Sequence, residues 1–558
     1  MQKIILTIIF LLAAFLRLQK ISTLPPSLFS DEVDAAYQAF VFNHCQTDFY
    51  GNKFPTHFHS YSDWRSPLYI YSLSLSQKIF GLNEFSTRFP AALFGWISVL
   101  IIFLLVKQLF DSKTAIFSAL LLALSPWHIH YSRAAFEVTG MLLVYLTGFY
   151  FFIKFIKEKK FYQLLLSAFF FILSFYFYST AKLYVFFTLI VIFFIFKKTF
   201  LKLKLRQITI FVLFCFLLSL PMISDLISGQ AGYRFSYINI FADPTVPQSV
   251  DFFRRQDSII DQSGGQTLLN YKIFHNKILS WITAFTKNYL SSFSTDFLFI
   301  SGDNNLRHSF SFFGQLLYLD FFLLPFGAFL FFTGKTDKKI KIMILLLFLL
   351  SPVPSSFTND STTAHATRLF FLIPFFIIFS SQTLVCLKQK PFFLLIFSLF
   401  YLFNFQLFYH YYQYHYPQIS APYWHTGIKQ AVIDSNNFPA SKIYFSSKPE
   451  PILPFFLFWN QYLPQDTCNI ESKVIQFSNP AFTGKQLENK HYFGQIEWGQ
   501  MVSKIDPHDS PLFIVHQDEI ETIELQTNSS PYKIDVQKTT DTNYQMAKPY
   551  LIFKFTKK

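Results

Sequence analysis

Apolar residues gather in eleven runs along the chain, near 4–19, 88–109, 112–127, 138–155, 161–178, 182–197, 207–224, 311–332, 342–354, 366–385 and 391–409. About 20 apolar residues in a helix cross roughly 30 Å of hydrocarbon. Each run is apolar on all sides instead of alternating, which predicts helices and not barrel strands. The first run is followed by ISTLPPSLFS, without a small-residue cleavage site, and reads as a retained first helix.

Lysines test this count independently. Lys154, Lys157, Lys159 and Lys160 fall at the boundary between runs four and five, and Lys197, Lys198, Lys202, Lys204 and Arg206 at that between six and seven. Lys335, Lys338, Lys339 and Lys341 follow run eight, and Lys388 and Lys390 follow run ten. With the N-terminus in the cytoplasm all four clusters are cytoplasmic, as the positive-inside bias requires. Eleven crossings then place the C-terminus outside.

Three long polar stretches fall on the outer side: 20–87, 225–310 and 410–558. Residues 67–80 are amphipathic and suit a helix lying along the interface. The second stretch is too long for a simple connection, which favours a folded or functional loop. The tail changes composition. KIYFSS, PLFIVHQ and YLIFKF are strand-like, and 423–435 is helix-like. The expected architecture is an all-α polytopic membrane domain over 1–410, with external loops 20–87 and 225–310. An external α/β or mixed domain over 411–558 follows it.

Of the 558 residues, 52% are hydrophobic and 14% charged. The net charge of +14 could suggest a nucleic-acid partner, but the densest Lys runs are accounted for by the inner loops, so no nucleic acid is expected. The four cysteines (Cys45, Cys215, Cys386, Cys468) show no metal-ligand spacing. Cys45 and Cys468 are both external; two free thiols are the favoured reading over a bond between them.

Candidate chemistry lies on the side opposite the lysines. PPSLFSDEVDAAYQAF places Asp31, Glu32 and Asp34 just after the first run. SPWHIHYSRAAFEVTG carries His128, His130, Arg133 and Glu137, and STAKLY carries Lys182. SGDNNLRHS carries Asp303, Arg307 and His308, and FTNDSTTAHATRLF carries Asp360, His365 and Arg368. Carboxylates there can act as a general base or hold a metal, and cations can hold a phosphate. A structural role competes for the first motif: Ser30 or Asp31 could cap a helix, with Asp34 in its first turn. His128 and His130 are two residues apart and share no helical face, against a zinc pair. A divalent metal on Asp31, Glu32, Asp303 and His308 is the alternative left open, and no cofactor is otherwise called for.

An Asp-Glu pair shortly after the first of many spans, a short SPWHIHYSR loop before span four and the Arg-bearing HATRLF before a late span resemble the GT-C glycosyltransferases. Within them the likeness is to the protein O-mannosyltransferases and the bacterial lipid A aminoarabinose transferase, and it covers roughly 1–410. The resemblance implies an integral protein of a bacterial cell membrane that takes its sugar from a polyprenyl-phosphate donor. Asp31 is the implied general base and Glu32 its structural or acceptor-positioning neighbour, with Asp34 an extra acidic group beside them. Arg133, Lys182 and Arg368 match the donor-phosphate role by placement; Glu137, Asp303, Arg307 and His308 are supporting candidates.

The implied reaction is a single displacement that inverts the anomeric carbon, with a protein, lipid or glycan as acceptor and membrane lipids as surroundings. A transporter or flippase of lipid-linked sugars is the rival, but transporters place ionisable groups at the midplane and show two related halves. Reporter fusions after residues 160, 204 and 337 should report the cytoplasm, and fusions after 60, 270 and 450 the exterior. A fusion at 270 that reports the cytoplasm contradicts an external loop over 225–310.

Overall fold

Every predicted apolar run contains a helix. The computed structural model describes residues 2–61, 63–262, 269–359, 364–504, 511–528, 530–542 and 544–558. Asp360 therefore lies outside the described residues. Two compact units result. One comprises Met1–Arg17, Ala91–Ser132 and Phe136–Phe408, and the other Leu18–Pro90, Arg133–Ala135 and Tyr409–Lys558.

Among the described residues seven helices are long and apolar enough to cross a bilayer: Glu84–Leu109, Val138–Glu158, Thr180–Phe200, Leu205–Ile227, Lys338–Ser356, Phe370–Leu387 and Pro391–Tyr414. Ser112–Leu124, Phe161–Phe175 and Asp320–Thr333 are shorter apolar helices, and Gln2–Leu18 is the first. Local chemistry sets their ends. Asp111 caps Ser112–Leu124 by accepting from Lys113 N (2.6 Å) and Thr114 N (3.0 Å). Lys159, in the left-handed region at φ 58°, ends Val138–Glu158 inside its lysine cluster. Leu213, Phe216, Leu217, Phe392, Leu399 and Phe403 are exposed on their helices, which only a hydrocarbon solvent satisfies. The protein is an integral membrane protein.

One run departs from expectation. The eighth helix begins at Asp320, nine residues after the predicted start. Ahead of it, Gln315 N and Leu316 N donate to Phe297 O (3.2 Å) and Leu298 O (2.8 Å). Gly314 lies so close to that backbone that a Cβ would sit 2.3 Å from Phe299 N. The apolar residues are kept, but their backbone pairs with a neighbouring segment instead of with itself. The described residues of the 225–310 stretch include the helices Thr245–Ile260 and Lys277–Ser291.

The second unit joins the first loop and the tail around one core. The tail forms a mixed sheet of β1 (Ile443–Ser446), β2 (Val474–Asn479), β3 (Phe482–Leu487), β4 (His491–Ile496), β5 (Leu512–His516), β6 (Tyr532–Thr539) and β7 (Tyr550–Lys557). The spatial order is β2-β3-β4-β1-β5-β7-β6. The central β1 runs parallel to β4 and β5, and the other pairs are antiparallel. The three strand-like segments are β1, β5 and β7. The expected helix over 423–435 is shorter, Ile428–Ser435, because Gly427 at φ +96° separates it from the turn Ala421–Trp424.

Ile443, Phe445, Phe493 and Ile514 pack in one buried cluster with Val33, Tyr37 and Val41 of the first-loop helix Ser30–Cys45. Residues 67–80 form the expected helix, opened by Pro67. The free-thiol expectation is corrected: Cys45 and Cys468 form a disulfide across 423 residues, with Cα atoms 5.7 Å apart. The two segments are already docked, since Ile470 N donates to Phe49 O (3.0 Å) and Thr47 Oγ1 to Cys468 O (3.3 Å).

Candidate active site

Glu32 is buried and saturated. Its Oε1 accepts from Arg88 Nε (2.9 Å) and Ala135 N (2.8 Å), and its Oε2 from Arg88 Nη2 (3.0 Å) and Phe29 N (3.2 Å). Both side chains of the pair are 0% exposed. Arg88 also donates to Ile21 O (3.1 Å), Pro25 O (2.8 Å) and Ser27 O. The pair thus holds the chain entering the first-loop helix. Its bond from Phe29 N is the reach-back of a third-position Glu, which satisfies a donor at the helix start. The N-cap is Phe29, and no side chain caps there. Neither Ser30 nor Asp31 is a cap.

One residue earlier on the helix, Asp31 points elsewhere. Its side chain is 54% exposed and accepts from Arg65 Nη2 at 2.7 Å. Asp34 stands three positions on, hence on the same face, but is buried. Its Oδ2 accepts from Arg65 Nε and from Ser60 Oγ (2.6 Å). Arg65 therefore bridges two carboxylates, the geometry for which a planar guanidinium is suited. It is carried by the two-residue ribbon that pairs Phe58–His59 with Trp64–Arg65. Burial pushes the Asp34 carboxyl up from its ordinary value against the opposing pull of Arg65 and Ser60. Asp31, Asp34, Ser60 and Arg65 open on a cavity of about 650 Å³.

Arg133 is fully buried in the same unit. It donates to Gln19 O (2.5 Å) and Leu24 O (3.2 Å) and lies 5.8 Å from the Tyr412 ring centroid. It anchors the start of the first loop through backbone carbonyls.

The remaining candidates belong to the helical unit. Asp303 pins two loops, because its Oδ1 accepts from Asn305 N (3.0 Å) and its Oδ2 from Ala366 N (3.0 Å). His308 lies within 4.8 Å, ring to ring, of His365, and its Nδ1 meets Tyr131 Oη (3.0 Å) and Thr367 Oγ1 (3.3 Å). Arg368 is buried and donates to Thr358 Oγ1 (2.5 Å). Burial, then His308, Arg368, Arg234 and Arg307, hold the His365 imidazole well below its ordinary pKa. Five basic side chains thus converge there. Arg307 also offers its carbonyl to His130 Nε2 (2.7 Å), and His128 Nδ1 meets Arg17 Nη2 (2.8 Å). Lys182 stands in the first turn of Thr180–Phe200 and interacts with Asp225. Glu137 is the N-cap residue of Val138–Glu158.

Among the described residues no group of three or more His, Cys, Asp or Glu is arranged to hold a metal. Glu32 has both oxygens committed to Arg88 and backbone N–H groups, with four donated bonds in all, and in this arrangement is not available as a metal ligand. Sequence reasoning missed Arg65, Arg88, Ser60 and Arg234. Arg65 and Arg88 had a usable signal, being two of very few cations in a stretch that holds three unexplained carboxylates.

Residues 64–224 match the family model described as dolichyl-phosphate-mannose-protein mannosyltransferase. A stretch of 78 residues is 35% identical to dolichyl-phosphooligosaccharide-protein glycotransferase 2 of Pyrococcus horikoshii, covering 14% of this chain and 10% of that protein. The crystal structure of ArnT from Cupriavidus metallidurans in the apo state superposes with a TM-score of 0.51 at 10% identity, covering 99% of this chain and 97% of that one. The same enzyme bound to undecaprenyl phosphate gives 0.49 at 10% identity, over 98% and 97%. The fold is that of the GT-C membrane glycosyltransferases, and the chain resembles their protein mannosyltransferase and ArnT group.

Stability separates the adjacent carboxylates. Glu32→Ala strands a buried guanidinium and should destabilise by about 3–5 kcal/mol. Asp31→Ala removes a half-exposed partner and should cost about 1 kcal/mol or less. Thermal unfolding of both variants in detergent, at matched protein amount, measures the difference.

Proposed function

We infer that the protein is an inverting glycosyltransferase that moves a sugar from a polyprenyl-phosphate donor to an acceptor hydroxyl on the outer face of the membrane. The observation that carries this reading is the Asp31–Arg65–Asp34 bridge, held by a rigid buried pair and open to a cavity. The family model matching 64–224 supports the donor class, since its members are named for dolichyl-phosphate mannose. The Cys45–Cys468 disulfide supports an oxidising, external location for the unit that carries the carboxylates.

Asp31 is the general base. It is solvent-accessible, and Arg65 holds its orientation through one oxygen, Oδ1. It takes the proton of the acceptor hydroxyl as that oxygen bonds to the anomeric carbon. The bond from that carbon to the phosphate oxygen breaks, and the electron pair leaves with polyprenyl phosphate. Cations that meet the phosphate charge make it a competent leaving group without a strong general acid. Arg368 and Arg307, with Arg234 and the histidines around them, are the group best suited to that task, and Lys182 is the second candidate. Arg133 acts through the loop it anchors. Glu32 is a positioning residue, since its oxygens are taken.

Asp31→Asn is nearly isosteric and, since Asp31 caps nothing, leaves the helix start intact. Turnover should fall by a factor on the order of 10² to 10⁴, with protein yield and donor half-saturation near wild type. Arg368→Gln should instead raise the half-saturating level of the lipid donor. Release of polyprenyl phosphate from polyprenyl-phosphate sugars, measured with acceptor present, is the assay. Asp31→Asn that keeps more than about a third of wild-type turnover, a loss far below that of a missing base, refutes the assignment. Consumption of a soluble nucleotide sugar without any lipid carrier refutes the donor class.

A further inference from the structure

One face of the tail sheet changes character as it passes the first loop. Val474 of β2 pairs with Leu487 of β3, and both are buried in the shared core. Two residues along the strands the same face carries Gln476, Lys485 and Phe493 in a row. Two further along it carries Ser478, Thr483 and Gln495. Gln476, Thr483 and Gln495 are exposed, and Lys485 Nζ lies 5.4 Å over the Tyr61 ring. This polar part of the face is one wall of the cavity on which Asp31 and Asp34 open.

Asp34, Ser60, Tyr61 and Arg65 line the same cavity opposite that face. A row of amides and a hydroxyl across from carboxylate, hydroxyl and guanidinium groups describes a site shaped for a ligand's own hydrogen-bonding groups. Gln476, Gln495, Thr483 and Tyr61 can each both donate and accept. They match a ligand whose groups do the same, which sugar hydroxyls do. A peptide bound by strand addition would need free strand backbone. The cavity meets the face of β3 and β4, which are hydrogen-bonded on both sides. An acyl chain would need a continuous apolar trough, and this lining interleaves Phe493 and Leu453 with carboxylates, amides and Lys485.

We propose that this cavity is the acceptor site and that the acceptor is a saccharide. Its hydroxyls bond to the exposed Gln476, Thr483 and Gln495 of the sheet, and one hydroxyl is presented to Asp31. The inference rests on the glycosyl-transfer reading for the word acceptor, but the site itself rests on the cavity alone.

Binding can be read without any donor. Full-length protein in detergent is titrated with a panel of short oligosaccharides, neutral and amino-substituted, and separately with a Ser/Thr-containing peptide; saturation-transfer NMR reports contact and affinity. At least one oligosaccharide should bind. Gln476→Ala combined with Gln495→Ala should weaken it about tenfold or more, the loss of one or two hydrogen bonds, and Thr483→Val should weaken it severalfold. Lys533→Glu, on β6 away from the cavity, is the control and should leave affinity unchanged. Thermal unfolding confirms that the exposed-residue variants fold. Absence of saccharide binding, binding indifferent to the cavity variants, or peptide bound at the same residues overturns the proposal. Polyprenyl phosphate released with peptide but not with saccharide overturns the acceptor class and leaves transfer standing. Saccharide binding with no release of polyprenyl phosphate from any lipid donor contradicts the transfer reading and leaves the site standing.

Discussion

The buried pair of Glu32 and Arg88 is the contact on which the candidate site depends. Two ions with no solvent exposure are costly to bring out of water and persist only where hydrogen bonds satisfy both. Here Glu32 receives four donated bonds, two from Arg88 and one each from the backbone of Phe29 and Ala135, while Arg88 gathers three carbonyls of the loop. The result is a fixed point joining the loop entry, the start of the first-loop helix and the start of the helix Glu84–Leu109. Asp31 inherits its direction from that fixed point. Because consecutive helical residues diverge by about 100°, burying Glu32 turns Asp31 out, and Asp34 at three residues' spacing returns beside it.

Arg65 then converts two neighbouring carboxylates from a repulsive pair into a bridged one. The division of labour follows from burial. Asp34 is enclosed and its carboxyl is pushed up, which suits a group that holds Arg65 and takes a hydrogen bond. Asp31 is open to solvent through half its side chain, which suits a group that exchanges a proton with an incoming hydroxyl. The first loop owes its rigidity to the tail, because Val33, Tyr37 and Val41 pack into the same core as Phe445 and Phe493 and Cys45 is tied to Cys468.

Much of this was legible in the chain. The length of the apolar runs located a helix in each of the eleven, and the strand-like segments of the tail became β1, β5 and β7. Asp31 and Glu32 could be singled out because carboxylates are scarce near an apolar run. What was hidden is long-range pairing. Arg88 is 56 positions from Glu32 and Arg65 is 34 from Asp31, and no local pattern ties an arginine to one carboxylate over another. The same limit hid the Cys45–Cys468 bond. The late start of the eighth helix was hidden for a different reason: composition shows that 311–319 avoids water, not which backbone its amides will choose. Arg133 shows the same limit, since placement at the mouth of a span does not reveal that its side chain donates to Gln19 O and Leu24 O.

In the proposed function one exposed carboxylate, Asp31, serves as the base, and a single displacement at the anomeric carbon goes with that role. Glu32 has both oxygens held by Arg88 and backbone N–H groups, and Asp34 is enclosed and bonded through Oδ2 to Arg65 and Ser60. The most direct test is the stereochemistry of the product formed from a polyprenyl-phosphate sugar of known anomeric configuration, read by the anomeric proton coupling in NMR. The account predicts the opposite configuration in the product. Retention of configuration would contradict it.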